Sequence, residues 1–400
     1  MIIGIPREIM RHEYRVSALP DMVPDYVEMG FDVVVESGAG AGVFRSDEEY
    51  ERAGALIVEG PQALFDQADI VLKVKQPLPN EKTGLNEAEM LREGSVLITF
   101  LHPAAPGSHR VVKLLQAGNV TSFTMDSIPR TPRAQKMDAL TSMSTVSGYK
   151  SVLMAAERFP RFVPIMCTAG RTIQPANVLV IGTGVVGLQA IATARRLGGR
   201  VKVVDIRDEA RKEAGSLKAE VVGFEVPDEL AIGTGGYAMA LSDDWLAKER
   251  QHIRADVEEA DIIILSALVP GEMAPVLITE DMVRQMRAGS VIVDVSIDQG
   301  GNCAVAEAGK EVVKYDVCIC GSENIPGSVA MDSSRLYATN MVEYVKNLFK
   351  QGTDVMDLDD DIVQQSIVTH QGRILHKGTL KSMRQVRAMT ATTARVCADG

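Results

Sequence analysis

Three glycines followed by an acid form the densest chemical signal in this chain. In VLVIGTGVVGLQAIATARRLGGRVKVVD, residues 178–205, Gly182, Gly184 and Gly187 come directly after an apolar run, and Asp205 closes the next one. That G-x-G-x-x-G spacing is what a dinucleotide pyrophosphate requires. The first glycine permits a tight turn, the second lets the backbone approach the phosphates, and the third lets the helix pack closely on the strand. The helix start then presents its N–H groups and the positive end of its dipole to the anion. An acid at the end of the second strand accepts bonds from ribose hydroxyls and repels a 2′-phosphate, so the expected nucleotide is NAD(H). Arg207 runs against that choice, because an arginine nearby can accept the phosphate instead.

Hydride transfer to a carbonyl or imine needs a cationic clamp for a substrate carboxylate and a proton donor or acceptor at the reacting atom. Four side chains at expected strand ends suit those tasks: Arg15 in HEYRVSALP, Lys75 in VLKVKQPLP, His102 in LITFLHPAA and Asp298 in VIVDVSIDQGG. Each has a structural alternative. Arg15 could pair with Glu8 or Glu13, Lys75 could snorkel, His102 could be a satisfied loop histidine, and Asp298 could cap a turn into Gly300 and Gly301. A further polar cluster, Arg130, Arg133, Gln135 and Asp138, lies on a segment with two prolines, and its residue types alone do not separate a binding loop from a solvated one.

The elements that must position these groups read as alternating strands and helices. Strands are expected at Ile2–Ile5, Asp32–Glu36, Ile70–Val74, Ser95–Phe100, Ile262–Leu265, Val291–Val295 and near Val317–Cys320. Helices are expected at Pro20–Met29, Asp47–Ala53, His109–Ala117, Gly148–Phe159 and Leu336–Phe349. The pattern predicts an α/β protein of two Rossmann-like, doubly wound domains, the NAD-binding one (140–326) inserted into a discontinuous substrate domain (1–139 and 327–400). The reacting groups would then meet in a cleft between them. Phe224–Ile253, with its GTGGYAMA centre, reads as a mobile insertion, and the tail from Lys377 as a partly ordered appendage.

Composition narrows the class further. A net charge of −11 disfavours a nucleic-acid partner. The cysteines at 167, 303, 318, 320 and 397 show no metal-binding spacing, so no metal is expected and the thiols read as reduced core residues. The N-terminus does not resemble a signal peptide and no apolar run is long enough to span a membrane, which predicts a cytoplasmic protein.

The motifs IGIPREI, KVKQPLP, LVPGEMAPVLIT, GSVIVDV and GRILH, spread over nearly the whole chain, resemble the superfamily of alanine dehydrogenases and transhydrogenase alpha subunits. The resemblance implies a homodimer or larger homo-oligomer. It also implies nucleotide contacts from Ser144, Gly182, Gly184, Val185, Val186, Gly187, Asp205, Ile206, Ala267, Leu268, Asp298 and Asn324. Within it, PRTPRAQKMDALTS is similar to the transhydrogenase segment whose Arg, Gln and Asp grip the nicotinamide, here Arg130, Gln135 and Asp138. Thr141 stands where that family has Ser. The GGYA stretch resembles its nucleotide-covering loop, with Tyr237 as the aromatic. Arg15, Lys75, His102 and Asp298 instead match the substrate and catalytic positions of alanine dehydrogenase. Transhydrogenase subunits typically lack that Lys, His and Asp.

Two activities follow. The first is hydride transfer between NAD(H) and a small 2-amino or 2-oxo acid, with Arg15 and Lys75 on the substrate, His102 as acid/base, and Asp298 orienting water or ammonia or tuning His102. The alternative is the NAD(H)-binding alpha subunit of a proton-translocating transhydrogenase, peripheral on the inner membrane and partnered by membrane and NADP-binding subunits. A non-catalytic NAD(H) sensor is disfavoured by the intact polar set.

Overall fold

β1 (Ile2–Ile5), β2 (Asp32–Glu36), β3 (Leu56–Val58), β4 (Ile70–Lys75), β5 (Val96–Phe100) and β6 (Thr121–Thr124) build the first sheet, with helices such as Val23–Glu28, Asp47–Arg52, Gly60–Phe65 and His109–Ala117 between them. Runs such as IVLKVK and VLITF are β-branched and almost wholly buried, as strands covered on both faces must be. This computed structural model describes residues 1–233, 238–269 and 273–386.

After the helix Ala139–Arg158 comes a small hairpin, β7 (Met166–Cys167) with β8 (Thr172–Ile173). The second sheet follows: β9 (Asn177–Ile181), β10 (Arg200–Val204), β11 (Glu220–Val221), β12 (Ile262–Leu265), β13 (Val291–Asp294), β14 (Glu311–Lys314) and β15 (Val317–Cys320). The chain then runs through the helix Ala330–Leu348 to β16 (Ile367–His370) and β17 (Arg373–Ile374), which join the first sheet.

The chain divides into two compact units. Met1–Met143 with Gly327–Gly400 forms one, and Ser144–Pro326 is inserted into it as the other. In the first, the strand order is β17-β16-β6-β5-β4-β1-β2-β3; in the second it is β11-β10-β9-β12-β13-β15-β14. Both sheets are therefore doubly wound, with the winding reversing beside the first strand: between β1 and β4 in one, between β9 and β12 in the other. A crevice outside the carboxyl ends of the strands opens at such a switch point. Each unit has its own core. Ile3, Val35, Ile98 and Phe100 pack with Tyr337, Met341 and Ile362 of the returning chain, while Val178, Val180, Ile191, Ile264 and Val293 centre the inserted unit.

The expected strands and helices are present, and several extents differ for physical reasons. The linking helix starts at Ala139, not Gly148, because Asp138 caps it: its carboxylate accepts from the Thr141 N–H at 2.8 Å and hydroxyl at 2.6 Å. Gly148 sits inside this helix because a Cβ there would lie 2.2 Å from the Val186 carbonyl oxygen. Pro20–Met29 is a 3-10 turn, Pro20–Met22, followed by the helix Val23–Glu28. The insertion Phe224–Ile253 runs into a helix, Asp243–Glu259, whose Ile253 and Val257 reach the core, while residues 234–237 of its GTGGYAMA centre lie outside the described residues. The short strands β3, β6, β14, β16 and β17 carry too little pattern to be read from sequence, whereas β15 falls on the expected Val317–Cys320. Residues 377–386 of the tail are helical. No described helix is long and apolar enough to cross a membrane.

Candidate active site

In the first unit the carboxyl edge of the sheet is a dense array of ionisable side chains. Lys75 is the last residue of β4 and pairs in register with Phe100, the last of β5; His102 follows two residues on. Asp126, just past β6, holds His102 twice. Its Oδ1 lies 2.7 Å from Nδ1 of the ring, and its Oδ2 accepts the His102 backbone N–H at 2.7 Å. The Thr124 hydroxyl also donates to Asp126. Phe100 lies parallel to the imidazole, 5.9 Å between centroids. His102 adopts a left-handed backbone, φ +46°, uncommon outside glycine and often found at functional sites. Burial opposes ionisation of Asp126, but the charge and hydrogen bond of His102 outweigh it and hold the carboxyl below its usual range. With Nδ1 committed to Asp126, Nε2 is the nitrogen through which His102 would exchange a proton. The ring is half exposed.

Arg15 is buried, and its guanidinium meets Glu13 through Nε at 2.7 Å. Burial opposes ionisation of Glu13, yet bonds and charge from Arg15, with Lys75 adding to them, keep its carboxyl below the usual range. Beneath this lies a buried trio. Lys73 Nζ is 3.3 Å from Glu8 and 3.1 Å from Glu87, and all three side chains are almost wholly covered. Glu8 also accepts the Val74 N–H at 2.6 Å, tying the loop after β1 to the end of β4. A cavity of about 450 Å³ opens here, lined by Glu8, Glu13, Arg15, Glu36, Asn80 and Lys82 among others.

Arg130 and Gln135 are exposed, on and just before the 3-10 segment Pro132–Met137. Arg133 has a structural task instead: it bonds Asp360 at 2.7 Å and also reaches Asp361. Together with Asp138 as helix cap, this pins both ends of the segment that carries Gln135.

The inserted unit builds its edge mainly from backbone. Gly182 has φ +88°, and a Cβ there would lie 2.7 Å from the Ala267 nitrogen. A Cβ on Gly187 would lie 2.0 Å from the Gly182 carbonyl oxygen. Gly184, by contrast, caps the helix Val185–Arg196 and faces open space, with nothing within 4 Å of a Cβ. Two glycines are thus demanded by packing, and the third leaves open space at the helix start. The residues fit a dinucleotide pyrophosphate at this helix start. Asp205 is buried, and Arg207 grips it through its backbone N–H (2.9 Å), Nε (3.0 Å) and Nη2 (2.8 Å); Thr183 donates to the same carboxylate. Val185, Val186 and Ile206 flank these groups in sequence, and Ser144 lies on the helix Ala139–Arg158.

Across the switch point, Ala267 and Leu268 follow β12. Asn302 braces them, accepting from the Ala267 N–H at 3.0 Å and donating to its carbonyl at 2.9 Å. Asp298 is exposed on the 3-10 turn Ile297–Gln299 after β13, and Gly300 (φ +102°) and Gly301 (φ +81°) supply the left-handed turn that follows. Asp294 supports this turn from below by accepting the N–H groups of Ser296, Asn302 and Cys303, and burial raises its carboxyl to about 6. Asn324 is buried with φ +53°. Tyr237 lies outside the described residues.

The first unit therefore brings together Arg15, Lys75 and His102; Asp298 belongs to the second. Sequence reasoning missed Asp126, the link of Lys73 to Glu8 and Glu87, Asn302 and Glu249; the pairing of Arg15 with Glu13 is one of the structural alternatives raised for Arg15. Glu249 is buried on the helix Asp243–Glu259, and burial, with the charge of Asp205 adding to it, raises its carboxyl to about 7. The one sequence signal for such groups was a charged residue inside an apolar run, as with Lys73.

Residues 4–147 match the N-terminal domain of the alanine dehydrogenase/PNT family, and residues 151–377 match its C-terminal domain. The chain is 41% identical over 382 residues to the first of the polypeptides that make up NAD(P) transhydrogenase subunit alpha in Rhodospirillum rubrum, covering 94% of this chain and 98% of that protein. It is 30% identical over 394 residues to the alanine dehydrogenase of Bacillus subtilis, covering 96% and 95%. Among solved structures, a transhydrogenase from Sinorhizobium meliloti superposes with a TM-score of 0.81 at 35% identity, covering 94% of this chain and all of that one. The chain belongs to the alanine dehydrogenase/PNT family.

Proposed function

We propose that this protein is an NAD(H)-dependent oxidoreductase that passes hydride between a nucleotide held on the Gly182 turn and a second reactant. The observation that carries this reading is the division of labour among Gly182, Gly184 and Gly187, of which Gly184 fronts open space at the helix start while the other two meet backbone. A bound nicotinamide supplies the hydride donor or acceptor. Gly182, Gly184 and the first N–H groups of the helix Val185–Arg196 would hold its pyrophosphate, and Asp205 its adenosine ribose. Arg207 supports NAD(H) over NADP(H), since its guanidinium is directed at Asp205.

The second reactant is, on the balance of relatives, another nicotinamide nucleotide. This chain would then be the alpha component of a transhydrogenase, with Arg130, Gln135 and Asp138 at the hydride-exchange face. Identity of 41% to a transhydrogenase subunit, against 30% to an alanine dehydrogenase, supports it. The His102–Asp126 pair specifically favours the other reading, a small 2-amino or 2-oxo acid. Arg15 and Lys75 would hold its carboxylate and carbonyl oxygen, and His102 would exchange a proton there through Nε2. Both readings take a homo-oligomer, and the first adds membrane and NADP-binding partners.

The test is NADH oxidation by the purified chain with ammonia and a panel of 2-oxo acids, beside hydride transfer after addition of an NADP-binding transhydrogenase component. Turnover with an oxo acid would select the dehydrogenase. In that case His102→Ala should lower kcat by about 10²–10⁴-fold, the usual contribution of a general acid/base, while NADH binding stays intact. Exchange only with the added component selects the transhydrogenase.

A further inference from the structure

We propose that Cys318, Cys320 and Glu311 form a binding site for a thiophilic divalent cation of the zinc class. The site lies on the β14/β15 hairpin that ends the second sheet. Cys320 sits opposite Glu311 in the antiparallel register, and Cys318, two residues back, shares its face. The two sulfurs are 4.0 Å apart, Cys320 Sγ is 3.7 Å from Glu311 Oε2, and all three ligand atoms lie within 4.8 Å of one another. A tetrahedral ion with metal–sulfur and metal–oxygen bonds of about 2.3 and 2.0 Å holds its sulfurs roughly 3.8 Å apart, and each sulfur roughly 3.5 Å from the oxygen. The first two separations differ from these by a few tenths of an ångström, and the third pair, Cys318 with Glu311, lies within 4.8 Å, a gap that side-chain rotation of the exposed Glu311 would close.

A disulfide is the competing use of such a pair, and strand geometry disfavours it. Residues i and i+2 of an extended strand have Cα atoms about 6.8 Å apart, the outer limit for the bond. Two sulfurs on one face of a strand reach a shared ion far more readily than each other.

Charge also balances. Burial pushes both thiols up, so the metal-free site holds two neutral thiols, the Glu311 carboxylate and the Arg158 guanidinium, which donates to that carboxylate through Nε. Binding of a divalent cation displaces two protons, and the resulting pair of thiolates matches the added charge. Arg158, fixed also to the Met154 carbonyl at 3.0 Å, would remain as the partner that orients Glu311. Glu311 is exposed and Cys318 half-buried, which provides an entry path to the buried Cys320. The Cys-x-Cys spacing alone is not a metal signature; the third ligand arrives only through the hairpin.

The experiment uses the full chain, reduced and chelator-treated, titrated with Cd²⁺ as a spectroscopic stand-in for zinc. A thiolate-to-metal ultraviolet band should saturate at one equivalent, with two protons released per metal. Cys318→Ser and Cys320→Ser should each abolish that band, and Cys167→Ser, at an exposed thiol on the β7/β8 hairpin, should leave it unchanged. Glu311→Gln keeps both sulfurs and should weaken affinity by roughly tenfold or more, the lower end of what losing even a partner outside the ligand set costs. No saturable band, or one that survives Cys318→Ser, overturns the proposal. If Cys320→Ser fails to fold, Cys318→Ser and Glu311→Gln decide, each checked for retained NADH binding.

Discussion

The two sheets share a winding order yet prepare their carboxyl edges in opposite ways. In the first unit the edge is made of charged side chains: Glu8, Glu13 and Arg15 in the loop after β1, Lys73 and Lys75 on β4, and His102 and Asp126 just past β5 and β6. In the second it is made of backbone, with Gly182, Gly184 and Gly187 shaping one turn and Asp205, Asp294 and Asn302 bonding to main-chain N–H groups. A backbone cradle suits an anion of fixed shape and needs no titration. An array of paired charges suits proton exchange, and it must be held together against desolvation.

The sharpest way to break the comparison is inside the glycine turn. Gly187→Ala places a Cβ 2.0 Å from a carbonyl oxygen of the same turn. It should cost more than about 4 kcal/mol and abolish NADH binding, read by chemical denaturation and nucleotide fluorescence. Gly184→Ala is the matched control. It should leave stability within about 0.5 kcal/mol and weaken NADH binding alone. Equal effects of the two substitutions would refute the division of labour.

Next in size is Lys73→Met in the first unit, which strands two buried carboxylates. It should cost about 3–5 kcal/mol by urea titration, with much of the loss recovered when Glu8 and Glu87 are made apolar as well. A neutral outcome for Lys73→Met would mean that the trio is not ionised.

The smallest and most conditional effect belongs to Glu249, the buried carboxyl near the backbone-built edge. Its folded pKa of about 7 lies above the ordinary value, so its contribution is full at low pH and is lost as pH rises from about 4.5 through 7. Glu249→Gln should therefore match the parent protein near pH 4 and exceed it by up to about 3 kcal/mol above pH 7. A stability difference that does not vary with pH would falsify the assignment.

The backbone-built half was largely legible in the sequence, because one strand–turn–helix–strand run contains it and glycine spacing encodes turn geometry directly. The charged half was legible only as isolated candidates. Arg15, Lys75 and His102 could be named, and Glu13 beside Arg15, but the partner of His102 and the trio around Lys73 could not. Asp126 sits beyond a short polar strand, TSFT, that alternation does not reveal, and Glu87 follows a loop. Helix extents failed where a cap outweighed propensity, as Asp138 does for the Ser/Thr-rich start of Ala139–Arg158.

By itself the sequence determined two doubly wound α/β domains, an inserted dinucleotide turn and a set of strand-end residues fit for hydride chemistry. These follow from short-range rules, namely alternation, glycine placement and strand–helix order. Only the tertiary structure decided that Asp126 holds His102, that Lys73 is sealed between Glu8 and Glu87, that Asp205 is gripped by Arg207, and that Glu311 meets Cys318 and Cys320. Apart from the local Asp205–Arg207 pair, these join residues on or beyond different strands, and which strands become neighbours is settled by winding order and packing.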